Sequence, residues 1–380
     1  MAAPGAAQIA VTLPPSSSTS DTQALLTAML RACDQISDLI FSPGRTPQVE
    51  VQGLLLPVQA AGMRPLTADD TRRIASDLIG SNKQAINMLR EQGSCDVSFA
   101  LPGLARFRVN VFIQRGSCAI VMRVIPTVLP DFHSLGLPSQ LEDVATLRDG
   151  IVLVTGPRGS GKSSTLAALI DRINDLQTGH ILTIEDPIEF LHNHKRATVH
   201  QRELHSDAPN YGVAIRAAMR QVPNVIFVGE MRDRETTEMV LEAAETGHLV
   251  LSSLNTVDAA KTVDRIAGGF APLEQSSVRS RLSKTLRYVI SQRLLPRKNG
   301  KGQVAAIEIL RVTPRVLELL QHESNSSENL LHAMKEGSAE GMQHFDDEIA
   351  KLVRAGVVSA ETAMAYATDS RELHQVLGIP

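Results

Sequence analysis

Between two apolar runs the chain reads GPRGSGKSS, from Gly156 to Ser164, and no other stretch constrains the fold as tightly. Gly156, Gly161, Lys162 and Ser163 satisfy the spacing G-x-x-x-x-G-K-[ST] of the Walker A pattern, with IVLVT before it and SSTLAALIDRI after it. A buried strand must therefore turn sharply into a helix. Glycines let the turn point its backbone N–H groups at phosphate oxygens, and the helix N-terminus adds the positive end of a dipole. Lys162 can reach the β and γ phosphates, and Ser163 can ligate Mg²⁺ beside them. We expect Gly156, Pro157, Arg158, Gly159, Ser160, Gly161, Lys162, Ser163 and Ser164 to bind ATP, with Mg²⁺ as its companion.

The residues beyond the loop repeat a strand-then-helix rhythm. IVLVT, HILTIE, NVIFVGE, HLVLSSL and VAAIEIL are short apolar runs, and patterns such as GVAIRAAMR and RETTEMVLEAAE separate most of them. That alternation predicts an α/β fold with a parallel sheet covered on both faces. Hydrolysis needs a base for the attacking water, and strand ends are where parallel sheets place such groups. TIEDPIEF supplies Glu185, Asp186 and Glu189, and VIFVGEMRD supplies Glu230. A lone carboxylate at a strand end is equally a solvated turn, but a group of them after two strands of a nucleotide fold points to catalysis.

The N-terminal part has a different texture. Residues 1 to 20 are rich in Ala, Pro, Ser and Thr and read as a disordered leader without the basic start and apolar stretch of a signal peptide. Helical spacing runs from Asp21 to Ile40 and again from Ala68 to Arg90, and β-rich runs such as ARFRVNVFIQ follow. These predict an α+β domain over 21–125, a Pro-rich linker with one short helix over 126–149, the nucleotide core over 150–313 and a helical region over 314–380. A net charge of −3 excludes a global basic field for nucleic acid. Cys33, Cys95 and Cys118 form no C-x-x-C pair, which fits a reducing cytoplasm. No run approaches the roughly 18 apolar residues of a membrane span.

GPRGSGKSSTLAAL, ILTIEDPIEF, VGEMRD and AETGHLVLSSLNTVDAAKTVDRI occur in this order, and in them the chain resembles the secretion ATPase superfamily. Within it the likeness is greatest to the PilT-like ATPases that retract type IV pili. The resemblance implies an N-terminal PAS-like domain, a RecA-like P-loop NTPase domain and a helical C-terminal region. It makes Glu230 the Walker B glutamate, beside Mg²⁺ and the catalytic water, Glu189 the acidic-box carboxylate, and His248 and Asn255 the phosphate-sensing positions. It further implies a homohexamer in which an N-terminal arginine completes a neighbour's site, with Arg106, Arg108, Arg115 and Arg123 as candidates. Which of them does so is left open, and alternating arginines also suit a solvated sheet face. The implied place of work is the cytoplasmic face of the inner membrane, reached through a pilus platform protein and without nucleic acid.

The chain departs from the family pattern at several points. Asn255 stands where the family has a second histidine; it can donate a neutral hydrogen bond but cannot carry a proton. RVTPRVLELLQHE, Arg311 to Glu323, replaces an AIRNLIRE-like helix tied to retraction. Asn224 and Ile40 replace a usual aspartate and histidine. Three alternatives follow: a weakly hydrolysing accessory subunit, an assembly ATPase, and a small-molecule kinase. Assembly enzymes generally carry a tetracysteine site, which this chain lacks, and a kinase needs a lid that the sequence does not suggest. Arg279, Arg281, Lys284 and Arg287 fall near one side of a predicted helix, and without interleaved aromatics they read as a solvated or subunit-facing surface.

Overall fold

The computed structural model describes residues 8–12, 21–33, 36–51, 53–125, 128–321 and 326–378. The chain divides into two units, Met1–Val128 and Leu129–Pro380.

The first unit is built on a seven-stranded sheet of order β1-β4-β3-β2-β7-β6-β5. Its strands are β1 (Ile9–Ala10), β2 (Ile36–Phe41), β3 (Gln48–Val51), β4 (Leu54–Gln59), β5 (Ser94–Leu101), β6 (Ala105–Gln114) and β7 (Ser117–Ile125). β1 runs parallel to β4 and the other pairs are antiparallel. Helices Thr22–Ala32, Ala68–Ile79 and Lys83–Gln92 supply Leu26, Met29, Ile74 and Ala85 to a core shared with Leu39, Phe41, Phe107 and Met122.

Three expectations change here. Helical spacing suggested one element from Asp21 to Ile40, but the helix ends at Ala32 and Ile36–Phe41 is a strand. Ile36, Leu39 and Ile40 fit either period, and pairing with β3 and β7 decides between them. The segment Ala68 to Arg90 is two helices, since Gly80 at φ 56° ends the first and donates its N–H to Ser76 O at 2.9 Å. Of the stretch expected to be a disordered leader, Ile9–Ala10 joins the sheet, and residues 1–7 and 13–20 lie outside the described residues.

The second unit has its own seven-stranded sheet, ordered β10-β9-β11-β12-β8-β13-β14. Its strands are β8 (Gly150–Thr155), β9 (Gly179–Glu185), β10 (Ala197–Glu203), β11 (Val225–Val228), β12 (Leu249–Leu254), β13 (Leu286–Pro296) and β14 (Gln303–Arg311). β14 is antiparallel to β13 and every other pair is parallel. One face packs Leu241, Val263 and Leu282 from surrounding helices, and the other packs Leu169, Ile173 and Leu141. β10 and β13 add two strands to those expected; β13 carries apolar groups on both faces, so period 2 is hidden within it.

The stretch from Leu129 to Asp149 belongs to this unit. Leu141 and Val144 are fully buried, and Gln177 Nε2 donates to Ala145 O at 2.7 Å and Leu147 O at 2.9 Å. Pro138 precedes a helical turn over Ser139–Thr146 whose apolar side packs onto the core, so these residues do not span free between domains. The basic series is likewise not one helical face, because the helix ends at Thr285 and Arg287 lies on β13. Arg279 is buried and bonds Asp264 at 2.7 Å, Arg281 bonds Glu238 at 2.6 Å and Glu245 at 2.7 Å, and Arg287 pairs with Asp149. These guanidinium groups are engaged by acids of their own unit. Among the described residues no helix is long and apolar enough to cross a membrane.

Candidate nucleotide site

The Walker A residues form a loop from the end of β8 to the helix Lys162–Leu176. Two of its glycines are required by space. A Cβ on Gly156, at φ 147°, would run into Gln292 O and Ser160 Oγ, and one on Gly161, at φ 89°, would lie 2.7 Å from Gln292 Nε2. Gln292 on β13 thus forms the floor of the loop, and Thr165 Oγ1 donates to its Oε1 at 2.8 Å. One strand position earlier, Ser291 Oγ accepts a bond from Thr155 Oγ1 at 3.0 Å. Neither Ser291 nor Gln292 was singled out from the sequence. The signal was a polar triplet, Ser291–Gln292–Arg293, inside an otherwise apolar run, YVISQRLL.

Lys162 Nζ donates to Gly156 O at 2.8 Å and Pro157 O at 2.9 Å, which holds the ammonium over the mouth of the loop. Burial lowers its pKa, and the charges of Glu230 and Glu189 act in the opposite direction. Both carboxylates named from the sequence are therefore electrostatic neighbours of this lysine. Ser160 Oγ is buried without a hydrogen-bond partner, and the first helical turn, which holds Ser163 and Ser164, has amides that no carbonyl within the helix can satisfy. This donor set fits an anionic phosphate chain. Ser163 adds a hydroxyl at the helix start of the kind Mg²⁺ takes beside phosphate oxygens. A cleft of about 480 Å³ opens beside Pro157–Ser160, walled by Arg293, Leu294, Gln303 and Ala365–Ala367.

Adjacent parallel strands bring the remaining groups to this end of the sheet. Ser252 and Ser253 Oγ donate to Val228 O and Gly229 O, each at 2.6 Å, and fix the end of β11 against β12. Glu230 and Asn255 are then the residues just beyond, and Asn255 Nδ2 donates to Glu230 Oε1 at 2.6 Å. Arg232 Nε donates to the other oxygen of Glu230 at 2.9 Å, and its Nη1 lies 3.5 Å from Asp186 Oδ2. Arg232 lay in plain view in VGEMRD and was missed, because an arginine after a strand end has no distinctive spacing. Glu185 points inward instead. It accepts Thr183 Oγ1 at 2.7 Å and Gln201 Nε2 at 3.1 Å, and burial pushes its carboxyl up to about 7.

His248 is not brought to this cluster within its own chain. It precedes β12, beside Gly150 at the start of β8, whereas the Walker A loop follows the other end of these strands. Strands of six residues separate the two ends by about 20 Å. Its Nδ1 lies 2.9 Å from Ala243 O. In the first unit, Arg106 and Arg108 on β6 alternate with the buried Phe107 and Val109, Arg108 stands opposite Arg123 on β7, and Arg115 turns the hairpin at φ 48°. Arg123 Nε donates to Asp38 Oδ1 at 3.0 Å.

The profile of the family described as type II/IV secretion system protein matches residues 89–372. The chain belongs to that family. A twitching motility protein of Neisseria gonorrhoeae is 42% identical over 86% of this chain and 86% of its own length. The type IV pilus retraction ATPase PilT of Pseudomonas aeruginosa is 42% identical over 86% of this chain and 93% of its own. Among solved structures, that of the pilus retraction motor PilT with bound ADP superposes with a TM-score of 0.82, at 38% identity, covering 93% of this chain and 99% of that one. The secretion-family fold therefore extends well beyond the Walker A loop in this chain.

Proposed function

We propose that this chain is a motor ATPase that hydrolyses ATP to drive type IV pilus retraction. The observation that carries the reading is the convergence of Lys162, Glu230 and Asn255 at one end of a parallel sheet, in a chain so close to retraction ATPases. In this reading the loop amides and Lys162 bind the triphosphate, and the cleft toward Arg293 and Tyr366 receives the nucleoside. Glu230 accepts a proton from the attacking water, while Asn255 and Arg232 hold its two oxygens in place. Glu189 completes the acidic side of the site. Ser163, with Glu230 through water, would hold Mg²⁺, whose charge offsets that of the phosphates.

The same reading makes the working unit a homohexamer in which Arg106, Arg108, Arg115 or Arg123 of one subunit reaches a neighbour's phosphate. A guanidinium there would stabilise charge developing on the transferred group and couple hydrolysis to domain movement. The motor would act at the cytoplasmic face of the inner membrane on a platform protein. Deleting the gene tests the direction of force: retained surface pili with loss of twitching is the expected outcome, and bald cells would reverse the assignment to assembly.

A second reading, an accessory subunit of low turnover, draws on Asn255 itself. Its amide engages Glu230 directly where the resemblance implies a histidine. Steady-state phosphate release by the purified protein separates the two, since an accessory subunit would show almost none alone.

A further inference from the structure

We propose that Glu308 is a positioning residue for the phosphate site, holding the Asn255–Asp258 loop in register with the Walker A loop, and that His344 places this hold under the influence of the C-terminal helices. The inference rests on the ATPase reading above.

Glu308 lies on β14 and is 1% exposed. Its Oε1 accepts the N–H of Ala259 at 2.8 Å. Ala259 begins the helix Ala259–Ala267, at the far end of the loop that Asn255 opens. Directly across the β13–β14 ladder stands Ser291, whose hydroxyl favours the charged form of the Glu308 carboxyl and accepts from Thr155, the last residue before Gly156. One buried carboxylate is thus bonded to the loop that Asn255 opens and stands across the ladder from the serine that meets the start of the Walker A loop. Burying a carboxylate costs free energy that a leucine of similar size would not, so this acid is better explained by what it holds than by the packing it provides.

The C-terminal region reaches the same group. Gln343 exchanges backbone bonds with Ile309 at 2.8 and 3.0 Å and so fixes its segment to β14. The next residue, His344, is 2% exposed and caps the helix Phe345–Arg354, its Nδ1 accepting the N–H of Asp346 at 3.4 Å. That bond places the neutral ring's proton on Nε2, which has no hydrogen-bond partner and lies 4.0 Å from Glu308 Oε2. A shift of about 1 Å at the helix start would close this gap to a hydrogen bond. Arg293 ties the same helices to β13, with its guanidinium 3.9 Å from the Phe345 ring centre and Nη1 donating to Tyr366 O at 2.6 Å. The charged groups facing Glu308 are Asp258 from the loop and Arg293 from β13, with His344 at the helix cap, and His344 is itself influenced by Asp346, Asp347, Lys335 and Glu372.

The test uses the full chain with ATP and Mg²⁺ between pH 5.5 and 9, comparing wild type with Glu308→Gln and His344→Gln. Burial raises the Glu308 carboxyl to about 7, so wild-type kcat should climb through that pH as the carboxylate forms. Glu308→Gln should lack this limb and lose about 10- to 100-fold in kcat, with KM for ATP nearly unchanged. His344→Gln should move the limb to higher pH. Without nucleotide, amide exchange at residues 255–259 should speed up in Glu308→Leu, which removes the acceptor for the Ala259 N–H that Gln would keep. Wild-type kcat and limb in Glu308→Gln, or wild-type exchange in Glu308→Leu, would overturn the role of Glu308, and an unmoved limb in His344→Gln would overturn that of His344. Inactive wild-type protein would instead sink the ATPase reading, and the exchange measurement would still decide whether Glu308 holds the loop.

Discussion

Asn255 and Glu230 close the gap between β12 and β11 through a single hydrogen bond of 2.6 Å, Nδ2 to Oε1. The amide fills a place where the family resemblance implies a histidine, and it engages the carboxylate that our reading makes the base. Arg232 takes the other oxygen at 2.9 Å, so each oxygen of Glu230 is held by a neighbour and keeps a lone pair free to accept a proton.

Replacing Glu230 with Gln removes the proton acceptor and keeps the shape. We predict that turnover falls by about 100-fold or more while ATP binding persists. Phosphate release and nucleotide titration on the same preparation check both halves, and undiminished hydrolysis would take Glu230 out of the mechanism.

Asn255→His restores a group that can carry charge beside Glu230. Turnover should rise above wild type at neutral pH. Equal rates would show that an imidazole adds nothing at this position.

Gly161→Ala forces a side chain onto a backbone at φ 89° and into Gln292 Nε2. A left-handed conformation alone costs roughly 1–2 kcal/mol for a non-glycine residue. We expect a lower Tm and loss of nucleotide binding; an unaltered loop function would mean that β13 yields easily beneath it.

Glu185 predicts a pH dependence of stability. Its carboxyl is raised from 4.5 to about 7 by burial, so the unfolded chain releases this proton more readily than the folded one. The stabilisation is complete below pH 4.5 and disappears as pH climbs past 7, a loss of roughly 3 kcal/mol. Glu185→Gln should flatten that part of the Tm-against-pH curve. A curve parallel to wild type would show that the carboxyl titrates normally.

Much of the second unit was legible because its signals are local. The strand–loop–helix at Gly156 is written in consecutive residues, and strands β8, β9, β11 and β12 stand out as apolar runs between helical periods. Glu230 and Glu189 could be named because parallel strands deliver their C-terminal ends to one edge. Other features had no local mark. β13 is apolar on both faces and shows no alternation, Ile36–Phe41 suits either period, and the prolines of 126–149 suggested a linker where buried Leu141 and Val144 make core.

The order of residues alone determined that a glycine-rich turn must lie between a buried strand and a helix, since the glycine spacing and the flanking periodicities admit little else. Only the tertiary structure decided which distant residues meet there. Strand order sets β12 between β11 and β8, which delivers Asn255 to Glu230 and leaves His248 at the opposite end of its strand. β13 lies on the other side of β8 and puts Gln292 beneath the loop. Those adjacencies come from long-range pairing between strands far apart in the chain, and no window of neighbouring residues encodes them.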